Sequence, residues 1–207
     1  VPDGDSALGP VSSAEDQRAQ AGSSTVDGLL VEANRAVQAI VALPKPVVAV
    51  VQGPCAGVGV SLALASDLVL ASEKAFFLLA FTKIGLMPDG GATALVAAAV
   101  GRIRAMRMAL LAERLTATQA CEYGLVSSVH PADELDAAAD GVIATLLSGP
   151  AVALAKTKQA INAATLTQLD GALDRESVGQ KILLVSPDFR EGTKAFQQRR
   201  TPAFTDS

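Results

Sequence analysis

Tryptophan is absent from this chain of 207 residues, and Phe and Tyr bring the aromatic share to only 3%. A core without aromatic mass has to be built from Ala, Val and Leu. That fits a chain that is half hydrophobic with a mean hydropathy of +0.35. No block of Lys or Arg stands out, and 17 basic residues face 21 acidic ones at a pI near 5.0, which argues against a nucleic-acid surface. Cysteine is scarce: Cys55 and Cys121 are too few and too scattered for a disulfide framework or a zinc site. The single histidine, His130 beside Pro131, leaves a Ser–His triad without support and reads as a strand-end residue. No apolar run reaches the roughly 18–20 residues that a membrane span needs. The N-terminus also lacks the basic start and apolar core of a signal peptide. The expectation is a reduced, cytoplasmic, soluble protein with no metal, nucleic-acid or membrane partner, long enough for one large domain or two small ones.

What the chain does have is the stretch Leu43 to Asp67, LPKPVVAVVQGPCAGVGVSLALASD. Pro44 and Pro46 hold its entry extended, and Val47 to Val51 is a β-branched run without polar alternation, as in a strand covered on both faces. Gly53, Pro54, Gly57 and Gly59 read as a tight turn, and Ser61 to Ser66 as an apolar helix that begins inside it. The first N–H groups of such a helix have no intrahelical partner, so the turn makes a site for negative charge, permanent or transient.

Around this stretch the chain divides into three parts. Residues 1–24 are polar, small and without hydrophobic period, and read as a mobile arm or loop. Residues 25–130 form a core of strands and short helices. It starts with a helix from Thr25, then strands at Leu68–Ala71 and Ala75–Ala80 and a loop over Ile84–Gly91. Two helices separated by Gly101, a short helix capped by Thr116, and a strand at Leu125–Val129 complete it. Residues 131–207 are helical throughout.

Gly57-x-Gly59 lacks the third glycine of a dinucleotide fingerprint, there is no lysine for a phosphate loop, and Ser61 is not flanked by glycines as a nucleophile would be. An oxyanion role remains, in which the N–H of Val58 or Gly59 meets a developing enolate oxygen. The runs KPVVAVVQGPCAGVGVSLALASDLVLASEKAFF, KIGLMPDGGAT, LTATQACEYGLVSSVHPADEL and REGTKAFQQRRTPAF, taken together and in order, resemble the enoyl-CoA hydratase/isomerase, or crotonase, superfamily.

The resemblance implies an α/β crotonase-like spiral of β-β-α units whose helical C-terminal region builds homotrimers or hexamers. It implies an acyl-CoA thioester as substrate, no separate cofactor, and an enolate held by two backbone N–H groups. By position Val58 is the second donor, with Gly57 and Gly59 beside the substrate. The first donor belongs to a Gly-Ala-Asp motif that the family carries ahead of Val1, so the spiral is expected to be incomplete. The two glutamates of a hydratase fall at Ser61 and Phe81. That leaves Asp89 as the single acid, in a position where some isomerases carry theirs, with Pro88 and Phe81 as substrate contacts. Leu86, Met87 and the nearby Phe residues are expected to desolvate it. Asp89 also stands just before a helix, where an ordinary N-cap explains it equally well. Asp67 is expected to fix the turn into the next strand. Arg199 lies in a final helix that in the family can reach a coenzyme A phosphate in a neighbouring subunit; a solvated basic helix end is its other reading. A non-catalytic acyl-CoA-binding or structural protein, and a hydratase, are the alternatives to an isomerase.

Overall fold

The computed structural model of the protein describes residues 14–205. The first helix, α1, runs from Ala14 to Ala42 and takes in residues 14–24, where a loop is expected. Ala14, Glu15, Gln17, Arg18, Ala19 and Gln20 are strong helix formers that need no apolar face to be helical. Residues 1–13 of the expected arm lie outside the described residues.

From α1 the chain coils through strand–strand–helix turns. Strands β1 (Val48–Val51) and β2 (Pro54–Ala56) lead into α2 (Val58–Ala65). Strands β3 (Leu68–Ser72) and β4 (Phe76–Leu78), with a 3₁₀ turn at Phe81–Ile84, lead into α3 (Ala92–Leu110). Strand β5 (Leu115–Thr116), helix α4 (Ala117–Glu122) and strand β6 (Ser128–His130) follow. Strands β1, β3 and β6 join one sheet, in the parallel order β1-β3-β6, with Val48 opposite Leu68 and Leu70 opposite Ser128. The other strands form another: β2 runs parallel to β4 with Cys55 opposite Phe77, and β5 closes it antiparallel. This is the α/β spiral that the resemblance implies.

Three local expectations change. Val47–Val51 is not covered on both faces: among the described residues β1 pairs only with β3, and Val50 is exposed. The glycine turn contains a strand, because Cys55 points into the core while Pro54 and Ala56 point out, and the pair with β4 supplies what three residues cannot supply alone. The strand expected at Leu125 starts at Ser128. Leu125 and Val126 instead donate backbone bonds to the Ala120 carbonyl, at 2.7 and 3.3 Å, sealing the end of α4 behind Gly124 at φ 82°.

The predicted break at Gly101 is present as a kink in α3, with φ 76° and ψ 162°. Thr116 caps α4 with a reciprocal Gln119 box. Helices α5 (Leu135–Ser148), α6 (Ala151–Thr165), α7 (Leu169–Leu183) and α8 (Pro187–Gln197) complete the chain. Phe77 is fully buried among Val60, Leu79, Val96, Met108 and Leu115, each such side chain contributing about 1.5–3 kcal/mol of burial. A second cluster, Val37, Ala65, Leu95, Leu169 and Leu173, ties α7 onto α1, α2 and α3. Lys158 of α6 is buried, bonds the carbonyls of Ile40 and Lys45, and pairs with Asp67 at 2.9 Å. The same Asp67 oxygen accepts the Val47 N–H at 2.7 Å, so Asp67 fixes the entry of β1 beside the turn into β3.

Candidate active site

The site is built where α2 begins. Gly57 caps that helix at φ 57° and ψ −130°, a backbone conformation that favours glycine. Its own N–H is taken by the Leu78 carbonyl at 2.9 Å, and Val60 N–H folds back to the Gly57 carbonyl at 3.0 Å. Val58 and Gly59 carry the first two N–H groups of the helix, which have no intrahelical acceptor, and both residues are only half-buried.

The Ile84–Gly91 loop folds onto this turn. A Cβ on Gly57 would lie 3.7 Å from the tip of Phe81. One on Gly90, at φ 65°, would lie 3.2 Å from Ser61 Oγ and 3.8 Å from a Val58 methyl. Ser61 is fully buried and its hydroxyl donates to the Asp89 carbonyl at 2.8 Å. Ser61, at the position where the resemblance implies a hydratase's acid, instead offers a hydroxyl that anchors the loop. Gly57 thus lies beside Phe81, and Val58 and Ser61 lie beside Gly90, the residue after Asp89. Gly59 turns toward Cys55, whose thiol burial pushes up to about 11. Pro88 is buried and lines a cavity of about 160 Å³ with Leu79, Ala92 and Val96. Clefts of about 550 and 420 Å³ beside Pro46 and Leu154 share no lining residue with the Asp89 cluster. Arg199 is not brought into the cluster: it follows α8, exposed, at φ 54°.

Asp89 is only 8% exposed. Burial pushes its carboxyl up to about 6; a bond from Gln180 pulls it down and the charge of Glu176 pushes it up. Gln180 Nε2 donates to Oδ2 at 2.6 Å, and Oδ1 is buried with no hydrogen-bond partner among the described residues.

The capping alternative for Asp89 is answered by Glu176. Gly91, not Asp89, is the N-cap of α3, and it makes no side-chain cap. Glu176, reaching over from α7 and fully buried, accepts the N–H groups of Gly91 and Thr93 at 2.6 and 2.9 Å and the Thr93 hydroxyl at 2.5 Å. A carboxylate at a helix N-terminus is stabilised by the dipole and the free donors. Burial still raises the Glu176 carboxyl above its ordinary range, against the pull of these bonds. Asp89 is thereby released from capping.

Glu176 and Gln180 are absent from the sequence reading, although their signal is there. Leu169, Leu173, Glu176 and Gln180 are spaced as one helical stripe, and a polar pair continuing an apolar stripe is a buried polar pair.

A family model described as Enoyl-CoA hydratase/isomerase matches residues 12–207. The chain belongs to that family. Among its relatives, the 1,2-epoxyphenylacetyl-CoA isomerase of Escherichia coli K12 is 42% identical over 83% of this chain and 66% of its own length. A probable enoyl-CoA hydratase of Rhodobacter capsulatus is 43% identical over 82% of this chain and 66% of its own. The chain thus spans a little less than two thirds of the length of these enoyl-CoA hydratase/isomerase relatives. The crystal structure of an enoyl-CoA hydratase from Mycobacterium avium subsp. paratuberculosis K-10 superposes with a TM-score of 0.86 at 73% identity, covering 87% of this chain and 74% of that one.

Proposed function

We propose that the protein acts on an acyl-CoA thioester and shifts the double bond of an enoyl group, with Asp89 as the proton shuttle. The observation that carries this reading is the buried Asp89 carboxyl, raised to about 6 and relieved of capping, in a loop packed against the start of α2. A carboxyl held there is half-ionised near pH 6 and mostly ionised at pH 7, so it can take up a proton and give it back near the working range.

In a 3-enoyl thioester, ionised Asp89 takes a proton from C2. The electron pair moves into the conjugated system and the thioester oxygen becomes the enolate oxygen. The Val58 N–H, at the positive end of α2, donates to that oxygen. Protonated Asp89 then returns its proton to C4, giving the 2-enoyl thioester and regenerating the carboxylate. One acid suffices because the proton leaves and returns on the same molecule. Hydration needs a water held between two acids, and the other carboxyl nearby, Glu176, is committed to three hydrogen bonds. In this reading coenzyme A is part of the substrate and no separate cofactor is used. Arg199 would serve only by reaching a coenzyme A phosphate across a trimer or hexamer interface. Exposed Val178, Ile182 and Phe196 on α7 and α8 favour such self-association.

The test is the rate of 3-enoyl-CoA isomerisation by wild type and Asp89→Asn. Loss of about 10²-fold or more in kcat is expected. A variant at full rate removes Asp89 from the chemistry. Calorimetric acyl-CoA binding by a wild type that turns nothing over would make the protein a binding module.

A further inference from the structure

We propose that Gln180 is a positioning residue for the reaction, pinning one oxygen of Asp89 so that the other alone exchanges the proton. The inference rests on the reading of Asp89 as the shuttle.

Gln180 is 2% exposed and arrives from α7, 91 positions along the chain from Asp89. Its Nε2 bonds Asp89 Oδ2 at 2.6 Å, while its Oε1 is buried and has no hydrogen-bond partner among the described residues. Burying an amide whose carbonyl goes unmet is unfavourable, and an apolar side chain of the same shape would serve packing better. What the amide supplies, and an apolar side chain cannot, is the bond to Asp89. That bond occupies Oδ2 and leaves Oδ1 as the oxygen with no competing partner. An acid that receives and returns a proton on one oxygen need not rotate between the two transfers.

The neutrality of the donor matters as well. A hydrogen bond to a carboxylate favours the charged form, but a Lys or Arg in its place would add a full opposite charge and hold Asp89 too acidic to return a proton. Among the described residues, Glu176 is the charged neighbour whose field reaches Asp89, and Ser61 on α2 brings no charge. Glu176 lies one turn before Gln180 on α7, so a single helix face restrains the carboxyl and, on top of the larger effect of burial, adjusts how readily it takes up a proton.

The experiment is a carbon-13 carboxyl titration of aspartate-labelled protein, with the Asp89 resonance assigned by its absence in Asp89→Asn. Gln180→Met keeps length and volume but has no donor. Its Asp89 midpoint is expected to rise by about one pH unit, the effect of losing a hydrogen bond to a charged group. The acidic limb of kcat/KM should move up with it, with kcat falling more than KM changes. Gln180→Glu is the second variant: its ionisation beside Asp89 should split the titration into two coupled steps and raise the upper one. Unchanged Asp89 midpoints in natively folded variants overturn the inference even if Asp89→Asn is inactive. An active Asp89→Asn overturns the shuttle reading whatever the titration shows.

Discussion

Replacing Asp89 with Asn should abolish a loss of stability that the wild type undergoes as pH rises from about 4 to 6, even as it removes the proposed chemistry. The carboxyl is held at about 6 in the folded chain, against 3.8 as its ordinary value, because ionisation is disfavoured at a site 8% exposed. A group whose folded pKa lies above its unfolded one contributes stability below the unfolded value and loses it as pH rises through the folded value. The window is therefore pH 4 to 6. A difference of about 2 units at 1.36 kcal/mol each gives about 3 kcal/mol lost by the wild type across it. Asn cannot ionise, so the variant should not lose this increment. Its buried amide N–H, placed where Oδ1 had no partner, lowers its stability by about 1–3 kcal/mol at every pH. That offset is constant, so the slope carries the result. Urea unfolding of both proteins at half-unit steps from pH 4 to 8 measures it. The stability difference, variant minus wild type, should grow by about 2–3 kcal/mol between pH 4 and pH 7 and then level off. Parallel curves over that range would mean that Asp89 titrates like an exposed aspartate and that the site is wetter than its burial implies.

Val58 offers a test of the backbone donor, since proline is tolerated at the first position of a helix and removes the N–H. Val58→Pro should lower isomerase kcat by about 10²–10³ with an unchanged circular dichroism spectrum; an unchanged rate would take Val58 out of the oxyanion role. Lys158→Met should cost about 3 kcal/mol in urea unfolding, because Asp67 and the Ile40 and Lys45 carbonyls lose a buried cation. A loss below about 1 kcal/mol would show that the pair barely outweighs its own desolvation.

The strand, turn and helix around Gly57 are legible in the sequence because β-branched runs and positive-φ glycines act locally. The Thr116 cap and the Gly101 break are legible for the same reason. Strands β2 and β5, of three and two residues, are too short to show a period and exist through their pairing with β4. Residues 14–24 hide a helix because propensity, not periodicity, makes it. The two readings of Asp89 could not be separated locally. An Asp just before a helix is a ready cap by its own chemistry, and the competitor that takes the role is Glu176, 85 positions beyond Gly91. Sequence distance, rather than weak chemistry, is what concealed the support of the site.

That distance has a consequence for how the protein comes into being. The contacts from α7 to Asp89 and Gly91 close loops of 91 and 85 residues, among the contacts with a high entropic cost of closure. Until α7 docks, Asp89 has neither its restraint nor its full burial, and the first turn of α3 lacks its acceptor. Any form of the chain in which α7 is undocked would hold a more exposed Asp89 without its Gln180 bond, and so an aspartate closer to ordinary acidity. The titration of this one carboxyl is therefore a reporter of whether α7 is seated on the loop.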